Sequence, residues 1–273
     1  MSMTPDAEAL TGLGGALHRA RLVDLEQPRF AGQPGLDQHG AGLQFTLHRR
    51  HEPGLAKRTS SSGLLISSDH AGTHIDALSH QAVDCQLHGQ VAVTAEVQTP
   101  TGFTTHSAEE IPPLIGRGVL LDVAADGPLA PRQTITVADL EKAAAGLAIP
   151  AGATVLVRTG WGTLWDDPPR YLEAPGLNLP ASQWVADHRP VAVGIDNARW
   201  DELDVVDPTV GYRSPGHALF LVQEGVYIIE NLLLEELAQS GQREFAFVCL
   251  PLKLRGATGS PVRPVALLEG AAA

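Results

Sequence analysis

One run of residues stands out for chemistry: His70-Ala71-Gly72-Thr73-His74-Ile75-Asp76-Ala77-Leu78-Ser79-His80. Three of the chain's 11 histidines and one aspartate fall within it. Imidazole and carboxylate are the ligands that borderline divalent cations prefer. His70, His74 and Asp76 can supply three of them and leave coordination positions open to water and substrate, which marks a catalytic rather than a closed structural site. A divalent ion held there lowers the pKa of its water toward neutrality. His80 lies just beyond and is free to move protons, since an unperturbed imidazole titrates at about 6.5. Gly72 lets backbone approach closely, and Ser67-Ser68-Asp69 leads in through a turn-compatible segment.

A second group lies far downstream. His217 precedes Ala-Leu-Phe-Leu, and Glu230 follows the apolar run Gly225–Ile229. By residue type alone, Glu230 reads first as part of a helix N-terminus. A second ion bridged by Asp76 would give it a different role.

These side chains need elements to position them. Gly118–Ala124, Ala153–Arg158, Pro190–Ile195, Gly225–Ile229 and Phe245–Leu250 are short apolar runs, most bounded by Gly, Pro or Asp, and they read as buried strands. Helices are expected between them. One opens at Thr136 with Asp139 three residues on and Gly146 at its end, one covers about 181–188, and one covers about 231–239 with Leu233, Leu234 and Leu237 as its apolar face. Strands alternating with helices argue for an α/β fold. The first 110 residues carry more turn and strand character than helix. Residues 1–273 are expected to form one domain, with 1–18 as an N-terminal extension and 268–273 as a frayed tail.

At 273 residues, 44% hydrophobic and 18% charged, the chain has a globular profile. Its net charge of -12 disfavours nucleic acid and anionic membrane surfaces. Two cysteines, Cys85 and Cys249, make no disulfide framework. No basic-then-apolar leader and no apolar stretch of about 18 residues is present, so the expectation is a cytoplasmic protein. No Gly-x-Ser-x-Gly run supports a serine hydrolase, and no glycine-rich loop supports nucleotide binding.

The run from His70 to His80 resembles the His-x-Gly-Thr-His-x-Asp-x-x-x-His signature of the cyclase-like metal hydrolases, a family that includes bacterial kynurenine formamidase and isatin hydrolase. Val23-Asp24-Leu25 with Pro28, Gly32 and Pro34 is similar to that family's N-terminal segment. Thr159-Gly160-Trp161 and Ile195-Asp196 fit its middle, and Pro251-Leu252-Lys253 through Gly259-Ser260-Pro261-Val262-Arg263 fits its C-terminal part. The resemblance implies a swivelling β/β/α fold. It implies that His70, His74 and Asp76 bind a first metal, that Asp76 bridges to a second completed by His217 and Glu230, and that His80 gives and takes the proton. It also implies a homodimer or homotetramer.

The expected reaction is hydrolysis of an amide bond, in a lactam of the isatin kind or an aryl formamide, with Zn or Mn as the metal and one or two ions per chain. The substrate is expected to be a small aromatic or cyclic molecule. Trp161 and Trp200 are candidates for an aromatic wall. A polyketide-type cyclase using the same metal site and a metal-binding protein without turnover are the rival readings. His39, His48 and His51 read as lining a loop, with substrate contact as the alternative.

Overall fold

The computed structural model describes residues 14–40, 42–54 and 56–270. Its frame is one mixed sheet of nine strands: β1 (Arg21–Asp24), β2 (His74–Asp76), β3 (Leu114–Asp122), β4 (Thr154–Arg158), β5 (Ala192–Ile195), β6 (Tyr227–Glu230), β7 (Glu244–Cys249), β8 (Gly259–Pro261) and β9 (Val265–Leu268). The spatial order is β1-β9-β7-β3-β4-β5-β6-β2-β8. The four central strands, β3 to β6, are parallel. Antiparallel strands flank them on both sides.

The central strands are apolar because both of their faces are covered. Val119 and Leu121 of β3 enter one core cluster and Leu120 the other; Val155 and Val157 of β4 divide from Leu156 in the same way, as Ile228 of β6 does from Ile229. Burying a side chain of this size contributes about 1.5–3 kcal/mol. Gly194 of β5 has no side chain because a Cβ there would stand 2.6 Å from Leu156 and 2.7 Å from Leu232.

Helices Val137–Ala143, Leu179–Asp187 and Glu235–Gln239 lie between strands. The first starts where Thr136 predicts, its backbone N–H held by the Asp139 carboxylate at 2.9 Å. The second starts at the side-chain cap of Asn178, which accepts from the Ala181 N–H. The third is shorter than expected: Asn231 is left-handed (φ 58°), so the helix begins only at Glu235. All five expected strands exist. The short strands β1, β2, β8 and β9 do not stand out in the sequence, since three or four mixed residues carry no clear period. Of the expected extension only residues 14–18 are described, and Leu268 closes β9 instead of starting a frayed tail; the remainder of both segments falls outside the described residues. No helix among the described residues is long and apolar enough to cross a membrane.

One feature stands apart from the sheet. Leu43–Arg49 and Ser62–Ser67 form a two-stranded antiparallel arm that pairs only with itself. Apart from Leu43, every residue of its two strands is exposed.

Candidate metal centre

Strand β2 places the ligands by its period of two. His74 lies directly opposite Glu230 of β6, and Asp76 opposite Ile228, while Ile75 between them is fully buried in the core. On the other side Asp76 faces Gly259 of β8. A Cβ at Gly259 would stand 2.8 Å from the His70 ring, so the bare backbone there leaves His70 its room.

The loop before β2 is held from three directions. Gly72 is left-handed (φ 66°), and the Arg29 guanidinium bonds the carbonyls of Ala71 and Thr73 on either side of it. The Thr73 hydroxyl donates to the Asn231 carbonyl at 2.6 Å and accepts from the Gln27 N–H at 2.9 Å. The Asn231 amide donates to Gly72 O at 2.9 Å and accepts from the Tyr171 hydroxyl at 3.0 Å. His217 ends the helical turn Pro215–His217, which runs on into a π-helix, Ala218–Glu224; π-helical turns are frequent at functional sites.

Second partners fix each imidazole's orientation. His74 Nδ1 lies 2.8 Å from Gly72 O, His217 Nδ1 lies 2.5 Å from Asp201, and His70 Nε2 lies 2.9 Å from the Thr258 hydroxyl. The other nitrogen of each ring faces inward. His70 Nδ1 comes 2.8 Å and His74 Nε2 3.4 Å from Asp76 Oδ1. His217 Nε2 is 3.2 Å from Glu230 Oε1 and 3.8 Å from Asp76 Oδ2, and His74 Nε2 is 3.6 Å from Glu230 Oε2. His70, Asp76 and His80 form one set with metal-ligand spacing; His74, Asp76 and Glu230 form another, with Asp76 common to both.

Buried His70 Nδ1 and Asp76 Oδ1 stand 2.8 Å apart without the geometry of a hydrogen bond, and Asp76 Oδ2 makes none either. Burying such atoms unpaired is costly. A divalent cation is the partner that satisfies an inward imidazole nitrogen and both oxygens of a carboxylate together, so the donor set fits the expected metal.

The groups of the metal-free centre are strongly coupled to one another. Burial opposes ionisation of Asp76, yet the neighbouring His80 carries its carboxyl well below the usual range. Burial pushes His80 down to about 3, with His70 and His217 adding to the shift against the pull of Asp76. Burial would also lower His217, but the hydrogen bonds to Asp201 and Glu230 hold it well above its ordinary value.

All six expected residues, His70, His74, Asp76, His80, His217 and Glu230, converge here. Glu230 ends a strand before a left-handed residue, so the reading of it as a helix N-terminus falls. His80 sits on a turn whose N–H groups bond Ala77 O (2.9 Å, from His80) and His106 O (3.0 Å, from Ser79), its ring 4.2 Å from that of His70. Trp161 and Trp200 do not build an aromatic wall. Both are buried, and their indole N–H groups are spent on Leu129 O and the Ser182 hydroxyl, which is a packing role. Trp200 reaches the centre only through its backbone N–H, 2.9 Å from Glu230. His39 stacks on His70 at 4.7 Å, whereas His48 and His51 bond within the exposed arm region. Cys85 is exposed and Cys249 is buried.

Comparison with known proteins gives the family. Residues 23–202 match the family described as Cyclase. The chain belongs to the Cyclase family. Within the range of that family, it is 28% identical over 258 residues to cyclase-like protein 2 of Oryza sativa subsp. japonica, covering 92% of this chain and 80% of the other. It is 26% identical over 222 residues to a kynurenine formamidase of Bacillus cereus, covering 79% and 85% of the two chains. Isatin hydrolase A from Ralstonia solanacearum superposes with a TM-score of 0.75 at 25% identity, over 98% of this chain and all of that one. The α/β architecture expected from strands alternating with helices is thus the family's own.

Sequence reasoning missed Asp201, Asn231, Arg29 and Thr258. They lie far along the chain from the groups they hold, and no spacing rule connects Asp201 to His217 or Thr258 to His70. Arg29 and Thr258 do fall inside the two flanking segments that carried the resemblance.

Proposed function

We propose that this chain is a metal-dependent amidohydrolase that cleaves the C–N bond of a lactam or an aryl formamide. The observation that carries the reading is the set of buried, unpaired ligand atoms on His70 and Asp76, beside an imidazole, His80, that burial keeps neutral. His70, His74 and Asp76 would hold one divalent ion and Asp76, His217 and Glu230 a second, Zn or Mn, and a bound ion supplies Lewis acidity toward a carbonyl oxygen and acidifies water. The protein's own residues do the rest. His80, neutral, accepts the proton that water loses as it adds to the carbonyl carbon. It passes that proton to the nitrogen as the C–N bond breaks, which leaves a carboxylic acid and an amine. Asp201, Gly72 O and Thr258 keep the three ligand rings from rotating. The names of the relatives, kynurenine formamidase and isatin hydrolase, support an aryl formamide or a lactam as the substrate class.

The test is a panel of lactams and aryl formamides offered to the Zn- and Mn-loaded protein, with Asp76→Asn as control. The expected result is turnover of one class by the wild type and none by the variant. Turnover that is equal in both would remove the metal site from the reaction, and no turnover of either class by the loaded wild type would sink the amide reading.

A further inference from the structure

The Thr258 hydroxyl stands between two groups, 3.0 Å from Asp69 Oδ2 and 2.9 Å from His70 Nε2. Only one arrangement of protons serves all three. The Thr258 backbone N–H donates to the same Asp69 oxygen at 3.0 Å, which makes that oxygen an acceptor. A hydroxyl has one proton to give, and an ionised carboxylate has none. The Thr258 proton therefore points at Asp69, and the Thr258 oxygen accepts from His70. The opposite order, with the hydroxyl donating to His70, would leave two oxygens 3.0 Å apart with no proton between them. The proton of the neutral His70 ring is thus on Nε2, and the lone pair is on Nδ1. Nδ1 is the nitrogen that faces the centre, 2.8 Å from Asp76 Oδ1.

Asp69 reaches His70 only through this hydroxyl. Its carboxylate is 3.9 Å from His70 Nε2, too far for a direct hydrogen bond. The Asp69 side chain is 29% exposed and that of His70 4%, so the hydroxyl carries the influence of a carboxylate at the surface to a buried ring. Thr258 is itself pinned. Its carbonyl accepts from the Ala77 N–H at 2.9 Å, so one residue clasps the ligand run at both ends, Asp69 ahead of it and Ala77 behind.

The three ligand imidazoles are therefore backed in three ways. His217 meets a carboxylate directly in Asp201, His74 meets the carbonyl of Gly72, and His70 meets a carboxylate through a hydroxyl. Such outer partners fix the tautomer and the ring orientation that a ligand presents.

We propose that Asp69 is a positioning residue of the metal centre: acting through the Thr258 hydroxyl, it commits His70 to bind a divalent cation through Nδ1. The proposal rests on the ligand assignment above and not on the substrate.

Two measurements on the full-length protein test it. One is zinc affinity by competition with a chromophoric chelator, the two equivalents resolved. The other is nitrogen NMR of the cadmium-loaded protein with isotope-labelled histidine, in which coupling to cadmium marks the ligating nitrogen. The His70 signals are those that His70→Gln lacks. In the wild type, His70 should couple through Nδ1 and keep a slowly exchanging Nε2–H. Thr258→Val removes the hydroxyl and keeps the backbone clasp; Asp69→Ala removes the carboxylate and keeps the hydroxyl. Each should weaken one zinc equivalent by about 10–100-fold, leave the equivalent held by His217 unchanged, and speed exchange of the His70 Nε2–H. Thr258→Ser should restore both readouts, and melting of the metal-free variants controls for folding. Coupling through Nε2 in the wild type overturns the proposal without need of any variant. Wild-type affinity for both equivalents in Thr258→Val and Asp69→Ala overturns it as well. A wild type that takes up no cation fails at the ligand assignment and overturns the functional reading together with this one.

Discussion

Asp201 offers a sharp test of how the centre is built. Its carboxylate is 1% exposed and accepts from Gly216 N at 2.5 Å, from His217 N at 3.1 Å and from His217 Nδ1 at 2.5 Å. In Asp201→Asn one oxygen becomes an NH2 group that cannot accept, so either the Gly216 N–H or the His217 ring loses its partner. The His217 ring then loses its fixed tautomer and part of its basicity. Loss of such an outer partner costs 10–100-fold in metal affinity, or about 1.4–2.7 kcal/mol. The loss should fall on one ion only, because His70 and His74 are oriented by Thr258 and Gly72 instead. Competition against a chromophoric chelator, with the two equivalents resolved and a thermal melt as control for folding, reads this directly. If both equivalents bind Asp201→Asn with wild-type affinity and turnover is unchanged, Asp201 does no more than cap the turn at Pro215, and the role given to His217 is wrong.

Changing His80 to Ala should leave metal content intact and lower kcat by about 10²–10⁴-fold; steady-state kinetics with elemental analysis checks both, and an unchanged kcat would exclude His80 from proton transfer. Gly72→Ala forces a Cβ to within 2.8 Å of the Arg29 guanidinium at a φ of 66°, so it should cost about 1–2 kcal/mol from backbone strain alone, visible as a lower melting temperature, together with weaker metal binding. The carboxylates around them hold His74 and His217 above the ordinary histidine value despite burial. The metal-free protein therefore keeps protons there that a cation must displace. Apparent metal affinity should rise with pH through the neutral range, by up to tenfold per pH unit for each proton released; calorimetry in buffers of different ionisation enthalpy would count those protons, and a count of zero would contradict the ligand assignment.

How much of this was legible in the sequence follows from the length over which each signal acts. His70, His74, Asp76 and His80 lie within a few residues of one another, and an imidazole-carboxylate run needs no partner elsewhere to be noticed. The central strands announce themselves because burial on both faces leaves only apolar residues, as in Val119-Leu120-Leu121. Strand β2 hides because its three residues, His74-Ile75-Asp76, are two ligands around one core side chain, and their alternation reads as chemistry before it reads as a strand. Glu230 was ambiguous because a carboxylate after an apolar run suits a helix start as well as a ligand; the left-handed Asn231 decides, and backbone conformation is not written in residue type. Trp161 and Trp200 misled because an indole suits a substrate wall and a core equally, and only the hydrogen-bond partners of their N–H groups separate the two.

The pairing of His74 with Glu230 across β6 and β2, and of Asp76 with Gly259 across β2 and β8, has a mechanical consequence. β2 is three residues long and sits next to the sheet's edge, so few backbone hydrogen bonds tether it. A cation held by Asp76 of β2 together with His217 and with Glu230 of β6 would rivet that edge to the parallel core. Occupancy at 100 times the dissociation constant would add about 2.7 kcal/mol to the stability of whatever unfolds with it. Chelation would then be felt first as local opening at residues 70–80 and 258–261, and a protease would report metal loss by nicking the chain there while the central strands remained intact.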